Sequence, residues 1–355
     1  MSATVPTRSA VLGLRPGELA RVREAHEIFA TLDEHGTLDG LPFMPEMLKH
    51  CGQVLPVFKR ADKTCDGTFR LRRMEDAVHL GNVRCDGAAH GGCQASCLMY
   101  WKEAWLERAE PGETTACAPS APPAALHLDA AEQAFVTDTL LPATAAARAV
   151  GDEAPAFRCQ ATELPNAATR IGSRELEHYR ADVRNWGVRK VARTALVDLF
   201  NTFQKANRKL LPRRPLVRGG HYYPFVAGAR ASGRTPSARL DLRAGDLVRI
   251  KSKQEILATL DGANKNRGLS FDVEMVRYCG RTARVRGRID RLLDEQTGRM
   301  IEIGSDCIVL EGVVCKADFH QLCTRSAFPY WREVWLERVD ASGAGDGPRT
   351  PRPGA

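Results

Sequence analysis

The pattern of hydrophobic and polar positions along this chain occurs twice. Residues 17–52 align without a gap to residues 245–280, and 16 of these 36 positions are identical. Residues 85–108 align to residues 315–338 with 11 of 24 positions identical. Between these blocks the second copy is two residues longer than the first, a length change of the kind that a surface loop tolerates. The sequence therefore indicates two copies of one module.

Each copy is predicted to contain several short strands and one short helix. Residues 247–251 alternate between apolar and polar side chains, which predicts a strand. Ser252 and Glu255 then form a capping box, which predicts a short helix over residues 254–260. The first copy has Glu24 in place of this serine, so we expect a weaker helix start there. The closing strings YWKEAWLER and YWREVWLERV have the pattern of an amphipathic strand, and such short elements are typical of a small β-barrel.

The segment between the copies is predicted to be helical. Residues 128–150 have a helical pattern that stops or kinks at Pro142. Residues 175–209 form a second helical stretch with a break at Gly187. Residues 109–127 are rich in Pro and Ala, as in a linker.

Divergence between the copies shows which cysteine and histidine residues the module keeps. Three thiolates and one imidazole are a standard ligand set for tetrahedral zinc, and C-x4-H-x2-C spacing puts three of them on one loop. We therefore predict two structural zinc ions as cofactors, one in each copy. The predicted ligands are Cys51, Cys85, His90 and Cys93 in the first copy and Cys279, Cys315, His320 and Cys323 in the second.

Two other interpretations of these residues stay open. Thiols that merely fill a core would be expected to drift to Ala, Val or Ser, as the remaining cysteines did between the copies. An iron–sulfur cluster in the first copy would use Cys85, Cys93 and Cys97, but the second copy has Ala327 opposite Cys97. The shared Glu46, which is Glu274 in the second copy, is expected to hydrogen-bond a ligand or the backbone rather than to transfer a proton.

The opening string GDLVRIK of the second copy resembles the first strand of KOW and other SH3-like barrels. We therefore expect an α+β fold, with two small SH3-like or KOW-like β-barrel modules, each with one Cys/Cys/His/Cys zinc site, separated by a helical basic segment. The expected boundaries are a flexible tail at 1–16, a zinc-binding β module at 17–108, a Pro/Ala-rich linker at 109–127, a helical basic region at 128–244, a second zinc-binding β module at 245–338 and a disordered tail at 339–355.

A wider resemblance covers most of the chain. It is carried by LPFMPEM (41–47), CG (51–52), KTCD (63–66), AVHL (77–80), RCDG (84–87), AHGGCQ (89–94) and WKEAWL (101–106). With these strings the chain resembles a bacterial protein family that has a duplicated, Cys/His-rich, zinc-type module of SH3-like fold. The resemblance implies that module organisation and implies no activity.

The net charge of +8 is concentrated in the centre of the chain. From Arg158 to Lys253 there are 21 Lys/Arg and 7 Asp/Glu, so the rest of the chain is net negative. Basic side chains could neutralise phosphates while the interleaved Tyr222 and Tyr223 stack on bases. A solvated helix face, or a surface that docks on the acidic modules, is the alternative. The candidate polyanion-binding residues are Arg184, Arg189, Lys190, Arg193, Lys205, Arg208, Lys209, Arg213 and Arg214.

Three residues of chemically active types occur in the first copy alone. Cys65, His79 and Cys97 stand opposite Leu293, Val309 and Ala327 in the second copy. A thiol pair beside an imidazole could serve a nucleophilic, redox or metal site, so these three are the candidate catalytic residues. Buried packing of Cys97 and an ordinary surface position for Cys65 are equally consistent with the sequence. Trp101 and Trp105 are expected to fill the core.

The sequence leaves two function classes open. The leading hypothesis is a zinc-binding adaptor that holds a polyanion, with nucleic acid or a protein as its partner, because no phosphate loop, nucleophile elbow or H-E-x-x-H motif occurs. The alternative is a metal- or thiol-dependent tailoring enzyme that acts on a small molecule in the first module. The N-terminal residues lack the apolar core of a signal peptide, and no long apolar run occurs, so we expect a cytoplasmic protein without a membrane partner.

Overall fold

The fold is known from a computed structural model. It describes residues 11–68, 70–81, 83–110, 128–145, 155–172, 177–210, 217–224, 226 and 230–339. The architecture mixes α-helices with several small, separate β-sheets, and none of the sheets formed by these residues closes into a barrel. The expected mixture of helices and strands is confirmed, whereas the SH3-like barrel stays a prediction. The expected linker and terminal tails lie largely outside the described residues.

The helices and strands follow one another in short stretches. The α-helices are α1 (Ala25–Phe29), α2 (Ala130–Phe135), α3 (Leu141–Ala143), α4 (Leu164–Ala167), α5 (Glu177–Trp186), α6 (Val188–Leu210) and α7 (Lys253–Leu257). 3-10 turns occur at Pro45–His50, Glu103–Trp105, Val217–Gly220, Val273–Tyr278 and Glu333–Trp335, and a π turn occurs at Val136–Leu140. The strands are β1 (Leu19–Val22), β2 (Thr37–Leu38), β3 (Leu41–Pro42), β4 (Val54–Arg60), β5 (Thr64–Cys65), β6 (Leu71–Arg73), β7 (Ala77–Leu80), β8 (Trp101–Lys102), β9 (Leu106–Arg108), β10 (Thr169–Arg170), β11 (Leu247–Ile250), β12 (Lys265–Asn266), β13 (Leu269–Ser270), β14 (Thr282–Arg288), β15 (Arg291–Leu293), β16 (Met300–Glu302), β17 (Ile308–Leu310) and β18 (Leu336–Arg338).

Compact packing divides the chain into two units. The first unit contains Met1–Leu199 together with Arg291–Glu302 and Lys316–Ala327, and the second contains the remaining segments. Two stretches of the second sequence copy therefore belong to the first unit. The division of the structure does not follow the repeat, and the domain boundaries expected from the sequence stay a prediction.

The main sheets of the two units share a four-strand order. The sheet of the first unit has the order β8-β7-β4-β1-β9, and its last four strands correspond to the four-stranded sheet β17-β14-β11-β18 of the second, which has no strand in the place of β8 among the described residues. The register is also repeated, since Leu19 pairs with Pro56 and Leu247 pairs with Arg284 at equivalent positions. Each sheet packs its own apolar core. The repeat of the sequence is therefore a repeat of local topology.

The predicted helix starts are confirmed. The Ser252 side chain accepts a hydrogen bond from the Glu255 N–H at the start of α7, and the Glu255 carboxylate accepts one from the Ser252 N–H. α5 and α6 meet at Gly187, whose φ of +77° favours glycine and ends the first helix. Pro142 lies in α3, which continues directly from the π turn that follows α2, so the helix changes its hydrogen-bond pattern just before the proline rather than ending there.

The closing runs are not the continuous strands that their alternation predicts. Between β8 and β9 the chain makes a 3-10 turn over Glu103–Trp105. The expected burial of Trp101 and Trp105 is confirmed, but Tyr100, Lys102 and Leu106 on the other side of the alternation are buried too. The turn interrupts the strand because the Glu103 carboxylate accepts hydrogen bonds inside the core from the backbone N–H groups of Gly13 and Leu14. The alternation of apolar and polar residues in the sequence does not show that a buried carboxylate accepts these backbone hydrogen bonds.

Candidate metal and thiol site

The loop that follows β7 carries Cys85, His90 and Cys93 in the first unit. The His90 N–H and the Gly92 N–H both donate to the carbonyl oxygen of Gly87, which folds the loop back on itself. Gly87 has a φ of +75°, and a Cβ there would lie 2.1 Å from the carbonyl oxygen of Cys93. Glycine is therefore required at this point to bring Cys93 back beside Cys85 and His90.

Glu46 joins this loop and completes a group of ligand types. The ligand atoms of Glu46, Cys85 and His90 all lie within 4.8 Å of one another. Cys85 Sγ is 3.5 Å from His90 Nε2, and Glu46 Oε1 is 3.0 Å from His90 Nδ1. The Ala89 N–H donates to Glu46 Oε1 at 3.2 Å, which holds the carboxylate against the loop. A carboxylate, a thiol and an imidazole thus converge in one buried place.

Two atoms of this group make it fit a metal ion. Glu46 Oε2 and His90 Nδ1 are buried without a hydrogen-bond partner, and the close approach of His90 to Glu46 is poorly aligned for one. Buried polar atoms without partners are rare in folded proteins. A cation bound to His90 Nε2, beside the Cys85 thiol, would fix the imidazole proton on Nδ1, where it faces the Glu46 carboxylate. The group could therefore hold a metal ion.

The contacts around His90 favour its protonated form, so a metal ion would have to displace that proton, whereas the state of Cys93 suits a cation. Burial alone would lower the pKa of His90, but the contacts with Cys85, Cys93 and Glu46 raise it well above its usual value. Burial would raise the pKa of Cys93, yet the contact with His90 lowers it. The thiol of Cys93 is thus stabilised as the thiolate, the form in which cysteine binds metals.

Cys51 lies outside this group, although it was predicted as a ligand because both copies keep it. Burial, followed by the carboxylates of Glu24 and Glu132, raises the pKa of Cys51 to about 12. Glu46 was expected to hydrogen-bond a ligand or the backbone, and it accepts a hydrogen bond from the Ala89 N–H and faces His90 Nδ1.

The second copy keeps the same residue types in its sequence, as Glu274, Cys315 and His320. Glu274, Cys315 and Cys279 belong to the second unit. Burial raises the pKa of Cys279 to about 11. The second predicted zinc site stays a prediction.

The residues found in the first copy alone meet one short segment of the second copy, all within the first unit. Cys323 Sγ lies 2.8 Å from Cys65 Sγ. The next residue, Thr324, places its Oγ1 3.3 Å from Nε2 of His79. Thr324 Oγ1 also donates to the carbonyl oxygen of Lys63 at 3.0 Å. The segment therefore contacts two of the three candidate catalytic residues directly.

Arg325 brings the third candidate, Cys97, to the same segment. Its Nη2 lies 3.9 Å from Cys97 Sγ, and its Nη1 donates to the carbonyl oxygen of Cys65 at 3.2 Å. Glu295 holds the guanidinium with contacts of 2.5 and 2.9 Å. The structure thus gathers Cys65, His79 and Cys97 around residues 323–325.

Burial controls the protonation of these side chains. It lowers the pKa of His79 to about 4, against the hydrogen bond to the Met99 carbonyl, so the ring is neutral near pH 7. It raises the pKa of Cys97 to about 12, although Arg325 opposes this. Burial also opposes ionisation of Cys323, but the Cys65 contact and the Arg325 charge lower its pKa to about 7.

The space between the metal group and Arg325 is small. A cavity of about 40 Å³ is lined by Cys85, His90, Cys93, Cys97, Cys159 and Arg325, among others. A water molecule needs roughly 10–15 Å³ of such space, so the cavity accommodates an ion or a few waters and excludes an organic substrate. The group around His90 is therefore a closed centre, which is typical of structural metal sites.

The predicted polyanion-binding residues lie mainly on α5 and α6. Arg184, Arg189 and Arg193 are exposed. Lys190 is instead held 3.2 Å from Asp318, and its ammonium lies 3.5 Å from the ring centre of Trp186. Lys205, Arg208 and Lys209 are exposed nearer the end of α6, and Arg213 and Arg214 lie outside the described residues.

No family model, curated protein or solved structure matches this chain. Within the described part of the chain, no helix has both the length and the apolar character needed to cross a membrane. The chemistry of the chain therefore rests on its own residues: a closed metal group, a thiol cluster and exposed basic side chains.

Proposed function

We propose that this chain is a metal-stabilised binding protein that holds a polyanion, in particular nucleic acid, on the basic side chains of α5 and α6. One observation carries the proposal. Arg184, Arg189 and Arg193 are exposed, and none of them has a carboxylate partner among the described residues. Lys190, in the middle of the same run, is by contrast paired with Asp318.

Uncompensated basic residues on one helix repel one another. Arg189 and Arg193 are four residues apart on α6, where like charges are close enough to destabilise a helix slightly. Phosphates bound along the helix would remove this repulsion and would release counterions from the nucleic acid. The exposed Tyr222 adds a ring that can stack on a base.

In this proposal the metal is zinc and its role is structural. Cys85, Cys93 and the Nε2 atom of His90 would hold the first ion, and the Glu46 carboxylate would orient the ring from its Nδ1 side. A second zinc ion stays the prediction made from the ligand residues that the second copy keeps. The SH3-like character of the modules belongs to the same proposal, since small barrels of this class present flat binding surfaces beside short loops.

Filter binding of the full chain to a labelled single-stranded oligonucleotide, repeated over a range of salt concentrations, tests the proposal. We expect binding at low salt, and we expect the logarithm of the binding constant to fall linearly with the logarithm of the salt concentration. The reason is that each phosphate contact releases counterions. Heparin should compete, since the recognised chemistry is that of a polyanion. Failure to bind at low salt, or binding that salt does not weaken, would contradict the proposal.

A second candidate function is thiol-dependent chemistry in the first module, and one observation favours it. Residues 323–325 contact Cys65, His79 and Cys97, the three residues that have no Cys or His opposite them in the second copy. His79 is buried, and Cys65 and Cys97 are both half-buried, but burial among charged neighbours raises the pKa of Cys97 to about 12, so Cys65 is the candidate nucleophile. Pulsed alkylation at neutral pH should then label Cys65 well before Cys307, a buried thiol whose pKa burial raises to about 11. Equal and slow labelling of both would remove this candidate.

A further inference from the structure

We propose that Cys65 and Cys323 are a redox pair that forms a reversible disulfide by exchange with a low-molecular-weight disulfide such as oxidised glutathione. Their sulfur atoms lie 2.8 Å apart, and no disulfide joins them. An S–S bond is about 2.05 Å long, so bond formation requires the sulfurs to move together by less than 1 Å, or about a third of a bond length. The two residues are 258 positions apart in the chain, and the fold alone brings them together.

Hydrogen bonds on both sides of the pair hold it in this position. The Thr324 N–H and Thr324 Oγ1 both donate to the carbonyl oxygen of Lys63, at 3.2 and 3.0 Å. Arg325 Nη1 donates to the carbonyl oxygen of Cys65 at 3.2 Å. The residues next to Cys323 are thus tied to the backbone that carries Cys65. This arrangement favours reaction between these two thiols over reaction with any other cysteine.

The surroundings of the pair favour redox chemistry over metal binding. The Arg325 guanidinium, oriented by Glu295, lies beside the pair and supplies positive charge. A neighbouring cation stabilises a thiolate and repels a metal ion. Among the described residues, Cys65 and Cys323 do not belong to the group whose ligand atoms converge as a metal site requires.

The exposure of the two thiols sets the order of the steps. Cys65 is half-buried and Cys323 is buried, so the Cys65 thiolate meets the oxidant first. It attacks one sulfur of oxidised glutathione, which forms a mixed disulfide and expels one glutathione thiolate. The Cys323 thiolate then attacks the Cys65 sulfur, forms the intramolecular bond and expels the second glutathione thiolate. The two protons released by the cysteines go to the two glutathione thiolates, and glutathione receives the two electrons.

This inference does not rest on polyanion binding. A chain that binds no nucleic acid can still form the bond, and a chain that binds nucleic acid can lack it. The two proposals therefore succeed or fail separately.

The test is disulfide mapping of the full chain. The reduced protein is equilibrated with oxidised glutathione under native conditions, quenched in acid, alkylated and digested, and the peptides are identified by mass spectrometry. We expect one dominant cross-linked peptide that joins Cys65 to Cys323, lighter by two hydrogen atoms than its parts, and we expect dithiothreitol to remove the link. Cys65→Ser and Cys323→Ser should abolish this product, whereas Cys307→Ser, a buried thiol elsewhere in the chain, should leave it unchanged.

Two outcomes would overturn the proposal. One is that both thiols stay fully alkylatable after equilibration, and the other is that the dominant link in the wild-type chain joins either thiol to a different cysteine. Because the link is mapped in the wild-type chain, a variant that fails to fold does not affect the result. The same oxidation in guanidinium chloride should give mixed pairings, since the fold no longer selects the partner. A dominant Cys65–Cys323 link that persists in denaturant would also contradict selection by the fold.

Discussion

The guanidinium of Arg60 lies 2.5 Å from the carboxylate of Glu103, and both side chains are buried. The same carboxylate accepts hydrogen bonds from the N–H groups of Gly13 and Leu14 at 2.8 and 3.0 Å. Glu103 therefore anchors the segment that precedes β1 to the sheet of the first unit.

The second unit repeats this anchor with its own residues. Arg288 lies 2.5 Å from Glu333, and Glu333 accepts hydrogen bonds from the N–H groups of Leu240 and Leu242. The Arg and Glu residues are identical in the aligned copies. The repeat preserves a buried polar anchor as well as the candidate metal ligands.

Glu103→Gln should destabilise the first unit by about 3–5 kcal/mol, because it leaves a buried guanidinium without its carboxylate. The matched control is Glu18→Gln, which removes the partly exposed ion pair with Arg108 and should cost about 1 kcal/mol or less. Urea unfolding followed by tryptophan fluorescence measures both variants. Equal losses in the two variants would show that Arg60 and Glu103 do not form the anchor.

The Cys/Cys/His/Cys zinc site expected from the sequence includes Cys51, whereas the metal group found in the structure does not. The two arrangements predict different effects of two cysteine substitutions. Cys93→Ser should cost the chain one of its metal ions, because Cys93 contacts His90. Cys51→Ser should leave the metal content unchanged, because Cys51 lies among Glu24 and Glu132 instead. Measurement of the metal content after dialysis distinguishes the two arrangements. Loss of an ion from Cys51→Ser would support the Cys/Cys/His/Cys site predicted from the sequence.

Glu46→Gln should weaken metal binding by about 10–100-fold, since a residue that orients or completes a ligand set typically has an effect of this size. Glu34→Gln is the matched control, because its side chain is 87% exposed. Competition with a fluorescent zinc chelator measures the affinity. An unchanged affinity in Glu46→Gln would remove Glu46 from the centre.

The low pKa of buried His79 predicts that the folded chain loses stability as the pH falls. Burial lowers its pKa to about 4 in the folded chain, whereas an unfolded histidine titrates near about 6.5. Between these values the unfolded state binds a proton that the folded state does not, so stability is fully present above pH 6.5 and declines towards pH 4.

The expected loss over this window is on the order of 3 kcal/mol. His79→Val, which copies the equivalent Val309, should flatten this part of the stability profile. Urea midpoints measured across the window provide the comparison. Parallel profiles for the variant and the wild-type chain would contradict the assignment.

Features that depend on neighbouring residues were predictable from the sequence. The capping box of Ser252 and Glu255 and the helix break at Gly187 are both present, because each depends on a few adjacent positions. The loop that carries Cys85, His90 and Cys93 was also expected, since its spacing is local.

Features that depend on distant parts of the chain were not predictable. No local pattern shows that Glu46 faces His90 or that Cys323 of the second copy lies beside Cys65 in the first unit. The comparison of the copies marked Cys65 as unusual, but only the tertiary structure supplies its partner. The 3-10 turn at Glu103 was missed for the same reason, because its cause is the backbone at Leu14.

The salt dependence of nucleic-acid binding tests the central claim most directly. The comparison uses the wild-type chain, the triple variant Arg184→Ala/Arg189→Ala/Arg193→Ala, and a control that removes the same charge from the exposed residues Arg15, Arg70 and Lys265. Each lost phosphate contact should reduce the slope of log K against log salt by about 0.7 for a single-stranded oligonucleotide. We predict a slope that is shallower by about 2 in the triple variant and unchanged in the control. Identical slopes and affinities in all three proteins would contradict the proposal that α5 and α6 hold the polyanion.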